Sequence, residues 1–127
     1  MRTQYHFRQS DRGLLAWDVR RLVELSKALP VRQVRLTEIR ELDECHWYSA
    51  GGSEATCRSV VHHCALIDQA DLSFAVILAA DGRVMDGMHR VCKALLKGHE
   101  CVSAVQFERT PEPDFVGRTP ESLPYES

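Results

Sequence analysis

The sequence predicts a single small α/β domain (α+β in its order of elements), in which helices pack on a small mixed sheet. Three observations predict this fold class. A length of 127 residues suits one domain with one modest core. Segments with helical apolar spacing are interspersed with shorter segments of strand spacing. Residues 74–79 are almost continuously apolar, which is typical of a buried central strand.

The local patterns give the elements in order. Asp18 is the expected N-cap of a first helix that Pro30 ends, and Ser53 is the expected cap of a second, after a flexible joint at residues 50–53. Residues 1–13 are polar and expected to be loosely held, and residues 14–108 form the predicted domain. Residues 109–127 form a proline-rich tail that is expected to be extended and either docked or mobile, without regular structure. The predicted elements are helix 18–29, strand 31–36, an irregular acidic loop 37–48, helix 53–70, strand 74–79, an extended pair 84–85, helix 88–97 and strand 101–107.

Composition and charge restrict the function classes. The chain is 44% hydrophobic and 27% charged, as in ordinary soluble proteins. A net charge of -2 does not favour direct DNA binding. No apolar run has the length of a membrane span, and the N-terminus has no apolar signal core, so a cytoplasmic protein without a membrane partner is expected. The five cysteines are expected to be reduced and mostly buried.

The strongest local signal for a binding site is in residues 81–98, which contain two Asp-Gly turns and end at Gly98. Gly87 comes directly before a helical pattern, and His89 and Arg90 fall in the first turn of that helix. The first turn has unpaired N–H groups and a partial positive charge, so it can bind a phosphate. A structural turn is the alternative, with Asp86 as N-cap and ion-pair partner of the cationic residues.

This segment also carries a family resemblance. It resembles the helix-opening motif of the ParB/sulfiredoxin superfamily in the pentapeptide Asp86-Gly87-Met88-His89-Arg90, followed by Ala94. ParB-like domains have a glycine, a basic pair and an alanine in this register, and sulfiredoxins have Gly-Cys-His-Arg. ADP-dependent serine kinases of the superfamily have a motif of the type Asp-Gly-His-His-Arg. The order of predicted elements over residues 30–107 fits the same superfamily.

The resemblance implies binding of a nucleoside di- or triphosphate, such as ATP, ADP or CTP, at the motif. Gly87 and Met88 would lie against the phosphates, His89 and Arg90 would contact them, and Asp86 would orient the basic pair or assist Mg²⁺. The catalytic cysteine of sulfiredoxin corresponds to Met88, whose thioether is not a nucleophile, so sulfiredoxin activity is not expected. Cys92 lies one helical turn later and does not replace it.

An acidic loop provides a second candidate site. It contains Glu38, Glu41, Asp43 and Glu44 before Cys45-His46-Trp47-Tyr48. Carboxylates beside a phosphate site can hold magnesium or remove a proton from an alcohol. Glu44 is the first choice for the base, because the aromatic pair that follows it can anchor the loop. The alternative is a solvated loop with Trp47 packed on the core.

The predicted function is therefore nucleotide binding with Mg²⁺-dependent phosphoryl transfer to a small hydroxyl substrate, with Glu44, Asp86 and His89 as catalytic residues. The alternative is a non-catalytic, ParB-like partition or regulatory module that acts through a protein or DNA partner. No metal site is predicted, since the histidines and cysteines lack paired Cys-x-x-Cys spacing.

Overall fold

A four-stranded mixed sheet forms the centre of the chain in a computed structural model that describes residues 3–48 and 53–125. Short 3₁₀ helices span Leu36–Glu38, Arg40–Asp43 and Pro120–Ser122. The strands and α-helices of the described residues are β1 (Tyr5–Ser10), β2 (Gly13–Asp18), α1 (Val19–Ser26), β3 (Arg32–Arg35), α2 (Cys57–Gln69), β4 (Val76–Leu78), β5 (Val84–Asp86), α3 (Met88–Leu96), β6 (Cys101–Gln106) and β7 (Phe115–Val116).

The order of strands in the central sheet is β3-β6-β4-β5. β6 runs parallel to β4 and antiparallel to β3, and β5 runs antiparallel to β4. The predicted fold class, a small α+β domain with a mixed sheet and packed helices, is confirmed. None of the helices in the described part of the chain has the length and apolarity that crossing a membrane requires.

The core lies on both faces of this sheet, because successive strand side chains point in opposite directions. On one face Val76 and Leu78 pack with Met88 and Val91 of α3. On the other face, Ile77 packs in a second cluster that includes Leu22 of α1 and Trp17 of β2. The buried run predicted at residues 74–79 therefore becomes the central strand, although Phe74 at its start is 65% exposed.

From Tyr5 onward the N-terminal segment lies in strands, contrary to the expectation for residues 1–13. β1 pairs with β2 in a hairpin whose turn places Gly13 at φ 97°. Tyr5 and Phe7 alternate with polar residues and form an aromatic contact with centroids 6.1 Å apart. Gln9 is exposed and the other residues of β1 are half-buried, so this segment is a strand because it pairs with β2 and not because it has a buried apolar face.

The proline-rich tail is docked on the same small sheet. β7 pairs with β2, and the indole Nε1 of Trp17 donates to the carbonyl of Pro111 at 2.7 Å. The Asp114 carboxylate accepts from the backbone N–H of Asp18 at 2.8 Å. The tail therefore contains a short strand and a 3₁₀ turn, where the sequence predicted no regular structure.

Two helix starts test the capping predictions. The Asp18 side chain accepts from Arg20 N at 2.9 Å, which confirms it as the N-cap of α1. At α2 the cap is Thr56, whose hydroxyl accepts from Ser59 N at 3.1 Å, so the prediction of Ser53 is wrong. Thr56 directly precedes the first apolar residue of the stripe, which is the position an N-cap takes. Most of the predicted joint at 50–53 lies outside the described residues.

Candidate functional site

A cleft of about 920 Å³ opens where β1, the acidic loop, β5 and the start of α3 meet. The cleft brings together five of the six site residues that the sequence predicted, namely Glu44, Asp86, Gly87, Met88 and His89. Arg90 is not among its lining residues. The cleft is also lined by side chains that sequence reasoning did not select, among them His6, Arg8, Glu41 and Arg83.

Gly87 is the N-cap of α3, with φ 107° and ψ 23° and no side chain to cap the helix. The prediction of Asp86 as N-cap is therefore wrong. Only glycine adopts this positive φ without strain, so the cap falls one residue later than the acid. Within the described residues no side chain caps the first N–H groups of α3, so these groups are able to donate to an anion.

Arg90 folds back under the start of α3 instead of reaching into the cleft. Its guanidinium donates to the Asp86 carboxylate at 2.9 Å and to the carbonyl of Ala75 at 2.7 Å. A Cβ at Gly87 would lie 3.1 Å from the guanidinium carbon. The predicted ion pair with Asp86 is present, but this geometry contradicts a free Arg90 that binds phosphate directly.

Replacing Arg90 with alanine is expected to lower the free energy of unfolding by about 2 kcal/mol, since charged hydrogen bonds contribute about 1.5–3 kcal/mol each and are not additive. Urea denaturation would measure it, with Arg58→Ala on the exposed part of α2 as the control. An unchanged midpoint would mean that Arg90 is free for a ligand, as the sequence predicted.

Met88 contributes its backbone rather than its side chain. The thioether is buried, 6% exposed, and packs in the core with Val91 and Ala94. Met88 can therefore offer an anion its backbone N–H, but not its side chain. Burial raises the pKa of the neighbouring Cys92 thiol, which keeps it protonated.

His89 lies in an aromatic cluster with His63 and Trp47. Its Nε2 is 2.9 Å from Nδ1 of His63, and its ring stacks on the indole of Trp47 with centroids 4.6 Å apart. Burial, and then the neighbouring His63, lowers the pKa of His89 to about 4. His89 is therefore neutral at pH 7 in the free protein. Trp47 packs against the core, as the alternative reading of the acidic loop expected.

The acidic loop forms two 3₁₀ turns that carry Glu41 and Glu44 to the cleft. Glu41 is 5% exposed, and its Oε2 accepts from Val84 N at 2.7 Å. Its Oε1 is buried and has no partner among the residues that the structure describes. Glu44 is exposed and bonded to Arg83 at 2.5 Å, which lowers the pKa of its carboxyl. No spacing in the sequence separates Glu41 from the other acids, because its burial depends on contact with β5.

Two arginines supply the positive charge of the cleft. Arg8 pairs with Asp81 at 3.1 Å, and Arg83 pairs with Glu44. Three side-chain atoms are buried without a hydrogen-bond partner within the described residues, and all three belong to cleft residues: His6 Nε2, Arg8 Nη2 and Glu41 Oε1. Unpaired buried polar atoms are costly, so a ligand that supplied partners would recover part of that cost.

The five cysteines are free thiols, as expected, but none is fully buried, contrary to expectation: Cys45, Cys57 and Cys64 are exposed, and Cys92 and Cys101 are half-buried. In residues 3–48 and 53–125, no three His, Cys, Asp or Glu side chains come together in a group that could hold a metal ion.

Comparison of the chain with protein-family models, curated proteins and solved structures finds no match.

Proposed function

We propose that the cleft binds the phosphates of a nucleoside di- or triphosphate at the start of α3. The observation that carries this proposal is that the uncapped N-terminus at Gly87 opens into a cleft that also contains Arg8 and Arg83. Backbone N–H groups at a helix start and arginine side chains are the donors that proteins commonly offer to phosphate.

The size and the ion pairs of the cleft support this proposal. Its volume of about 920 Å³ falls within the range of small-molecule sites. The partly exposed pairs Arg8–Asp81 and Arg83–Glu44 are weak, because such pairs contribute about 0–1 kcal/mol. A phosphate can therefore displace the carboxylates and take over the arginine donors.

Charge balance favours a nucleotide that arrives with Mg²⁺. Four acids line the cleft against two arginines: Glu41, Glu44, Asp81 and Asp86 against Arg8 and Arg83. A bare polyanion would be repelled by this excess of carboxylates, whereas Mg²⁺ is typically held by one or two carboxylates together with phosphate oxygens. The expected ligand is therefore the magnesium complex of ATP, ADP or CTP.

For phosphoryl transfer to a small hydroxyl substrate, Glu41 is the better candidate for the base. Its side chain is 5% exposed and its Oε1 has no partner within the described residues, whereas the Glu44 carboxylate is exposed to solvent. In this scheme Glu41 removes the proton of the alcohol, the donors at the start of α3 hold the transferred phosphate, and Asp86 acts only by orienting Arg90. Positioning and charge neutralisation carry most of such a reaction.

A nucleotide-binding module without catalysis is the second candidate. Apolar side chains on α2 and α3 are exposed, including Val61 at 67% and Leu96 at 78%. Exposed apolar residues on neighbouring helices suit a protein partner. In this alternative the nucleotide acts as a switch for that partner.

Calorimetric titration with ATP, ADP, CTP and GTP tests the proposal, each with and without Mg²⁺. We expect one nucleotide to bind at least about tenfold more tightly with Mg²⁺, and Arg83→Ala to weaken that binding by about tenfold or more. Arg58→Ala, on exposed α2 outside the cleft, should bind like the wild type. Equal affinity in the two variants would place the nucleotide elsewhere.

Turnover that is lost in Glu41→Gln without loss of binding would distinguish the kinase from the switch.

A further inference from the structure

His63 of α2 and His89 of α3 form a flat, edge-to-edge pair. Nδ1 of His63 lies 2.9 Å from Nε2 of His89, the centroids are 5.1 Å apart and the planes differ by 22°. The indole of Trp47 is nearly parallel to both rings, with centroids 4.2 Å from His63 and 4.6 Å from His89. Trp47 therefore covers one face of the whole pair.

This geometry fixes how many protons the pair holds. A neutral imidazole has one N–H and one acceptor nitrogen, so one ring must donate to the other. If both rings were protonated, two N–H donors and two positive charges would face each other across 2.9 Å. The intact pair therefore accommodates one added proton and excludes a second.

One placement of the protons lets His89 gain a proton without reversing the hydrogen bond: Nε2 of His89 donates and Nδ1 of His63 accepts. His63 then carries its own proton on Nε2, and Nδ1 of His89 has a free lone pair. Because His89 lines the cleft, that lone pair is the place for the added proton. His63 accepts the same hydrogen bond in the neutral and in the protonated state.

The strongest influences on the pair oppose its protonation in the free protein. They are burial of the rings first, and then His62 on α2, His46 on the acidic loop and Arg90 on α3. Carboxylates of the same cleft are held by arginines, Asp86 by Arg90 and Glu44 by Arg83. A phosphate at the start of α3 would add negative charge beside His89, which favours its imidazolium.

We propose that His63 and His89 form a one-proton carrier, in which a phosphate bound at the start of α3 causes His89 to take up one proton from solvent and His63 holds the imidazolium in place. The proton adds to Nδ1 of His89, so the pair changes from two N–H protons and no charge to three N–H protons and one positive charge. The new N–H donates to a phosphate oxygen, and the proton returns to solvent when the ligand leaves. This inference rests on the proposed function, and His63 is a positioning residue in it.

Two measurements test the carrier: proton uptake and histidine titration. Calorimetry of Mg²⁺–nucleotide binding at pH 6 in buffers of different ionisation enthalpy gives the number of protons taken up. We expect the wild type to take up about one proton more than His63→Phe, which keeps the ring stack but cannot accept the hydrogen bond. His63→Gln, whose amide oxygen accepts it, should restore most of the uptake, and His99→Phe, at an exposed position outside the cleft, should match the wild type.

NMR of the histidine rings separates the outcomes. In the free wild type, both rings should show the Nε2–H tautomer. Added nucleotide should move the titration of His89 from about pH 4 to above about pH 7, a rise that uptake of about one proton at pH 6 requires. Binding with equal proton uptake in wild type and His63→Phe would overturn the carrier and leave the proposed function intact. Failure of every nucleotide to bind the folded protein would overturn both.

Discussion

Replacing Gly87 with alanine is expected to lower the free energy of unfolding by about 3 kcal/mol. A side chain at φ 107° is strained, which costs about 1–2 kcal/mol. The new Cβ would also lie 3.1 Å from the Arg90 guanidinium, which must move away from Asp86 or Ala75. Loss of one such hydrogen bond adds about 1–2 kcal/mol. Chemical denaturation would measure the total.

Gly98→Ala is the matched control. Gly98 also has a positive φ, 78°, but a Cβ there would meet nothing within 4 Å, so only the backbone strain of about 1 kcal/mol remains. The contact with Arg90 can be isolated in a double-mutant cycle, because Gly87→Ala should cost less when Arg90 is already alanine. Equal losses at Gly87 and Gly98, or additivity with Arg90→Ala, would contradict the packing of the guanidinium under the helix start.

Acidification between pH 6.5 and pH 4 is expected to destabilise the protein by about 2–4 kcal/mol. Burial lowers the pKa of both His6 and His89 from 6.5 to about 4. In this window the unfolded chain binds more protons than the folded one, so stability is complete above pH 6.5 and falls until about pH 4. Each pKa unit is worth about 1.4 kcal/mol, which partial exposure of the rings reduces.

The double variant His6→Phe/His89→Phe should show a much flatter stability profile from pH 6.5 to pH 4, as followed by urea denaturation at each pH. His99→Phe, at an exposed position, should retain the slope of the wild type. The aspartates with lowered pKa, such as Asp18, act below this window, so they do not produce the same slope. An unchanged slope in the double variant would show that neither ring is held neutral by the fold.

The parts of the fold that the sequence predicted correctly are those that depend on residues close together in the sequence. The spacing of apolar residues identified α1, α2 and α3, and Asp18 and Gly98 marked helix ends that the structure confirms. The start of α2 was wrong because two hydroxyl residues, Ser53 and Thr56, competed for one cap. Local chemistry alone gave no reason to prefer either.

The missed elements depend on contacts between distant parts of the chain. β1 is polar in composition and becomes a strand because it pairs with β2, and the tail is held by Trp17 and Asp114. No local pattern indicates that the first and last segments of the described chain share a sheet. The same holds for Arg8, which reaches the cleft only because β1 is docked.

The candidate site was predicted in position but not in the roles of its residues. The motif placed Gly87 and His89 at a helix start, which the structure confirms. Arg90 was expected to contact the phosphates, but its guanidinium is bonded to Asp86 and to the carbonyl of Ala75. Within the described residues it is Glu41, and not the predicted Glu44, that has a buried oxygen without a partner. Burial depends on tertiary packing, so residue type and spacing do not determine which of several similar side chains is exposed to a ligand.

The most direct test of phosphate binding at the start of α3 is an NMR titration of the amide groups with the magnesium complexes of ATP, ADP and CTP. The account predicts that one nucleotide shifts the amide signals of Met88 and His89 the most, with saturation, while those of the β3 edge stay in place. Saturable shifts elsewhere with Met88 and His89 unmoved would contradict it, as would the absence of any shift.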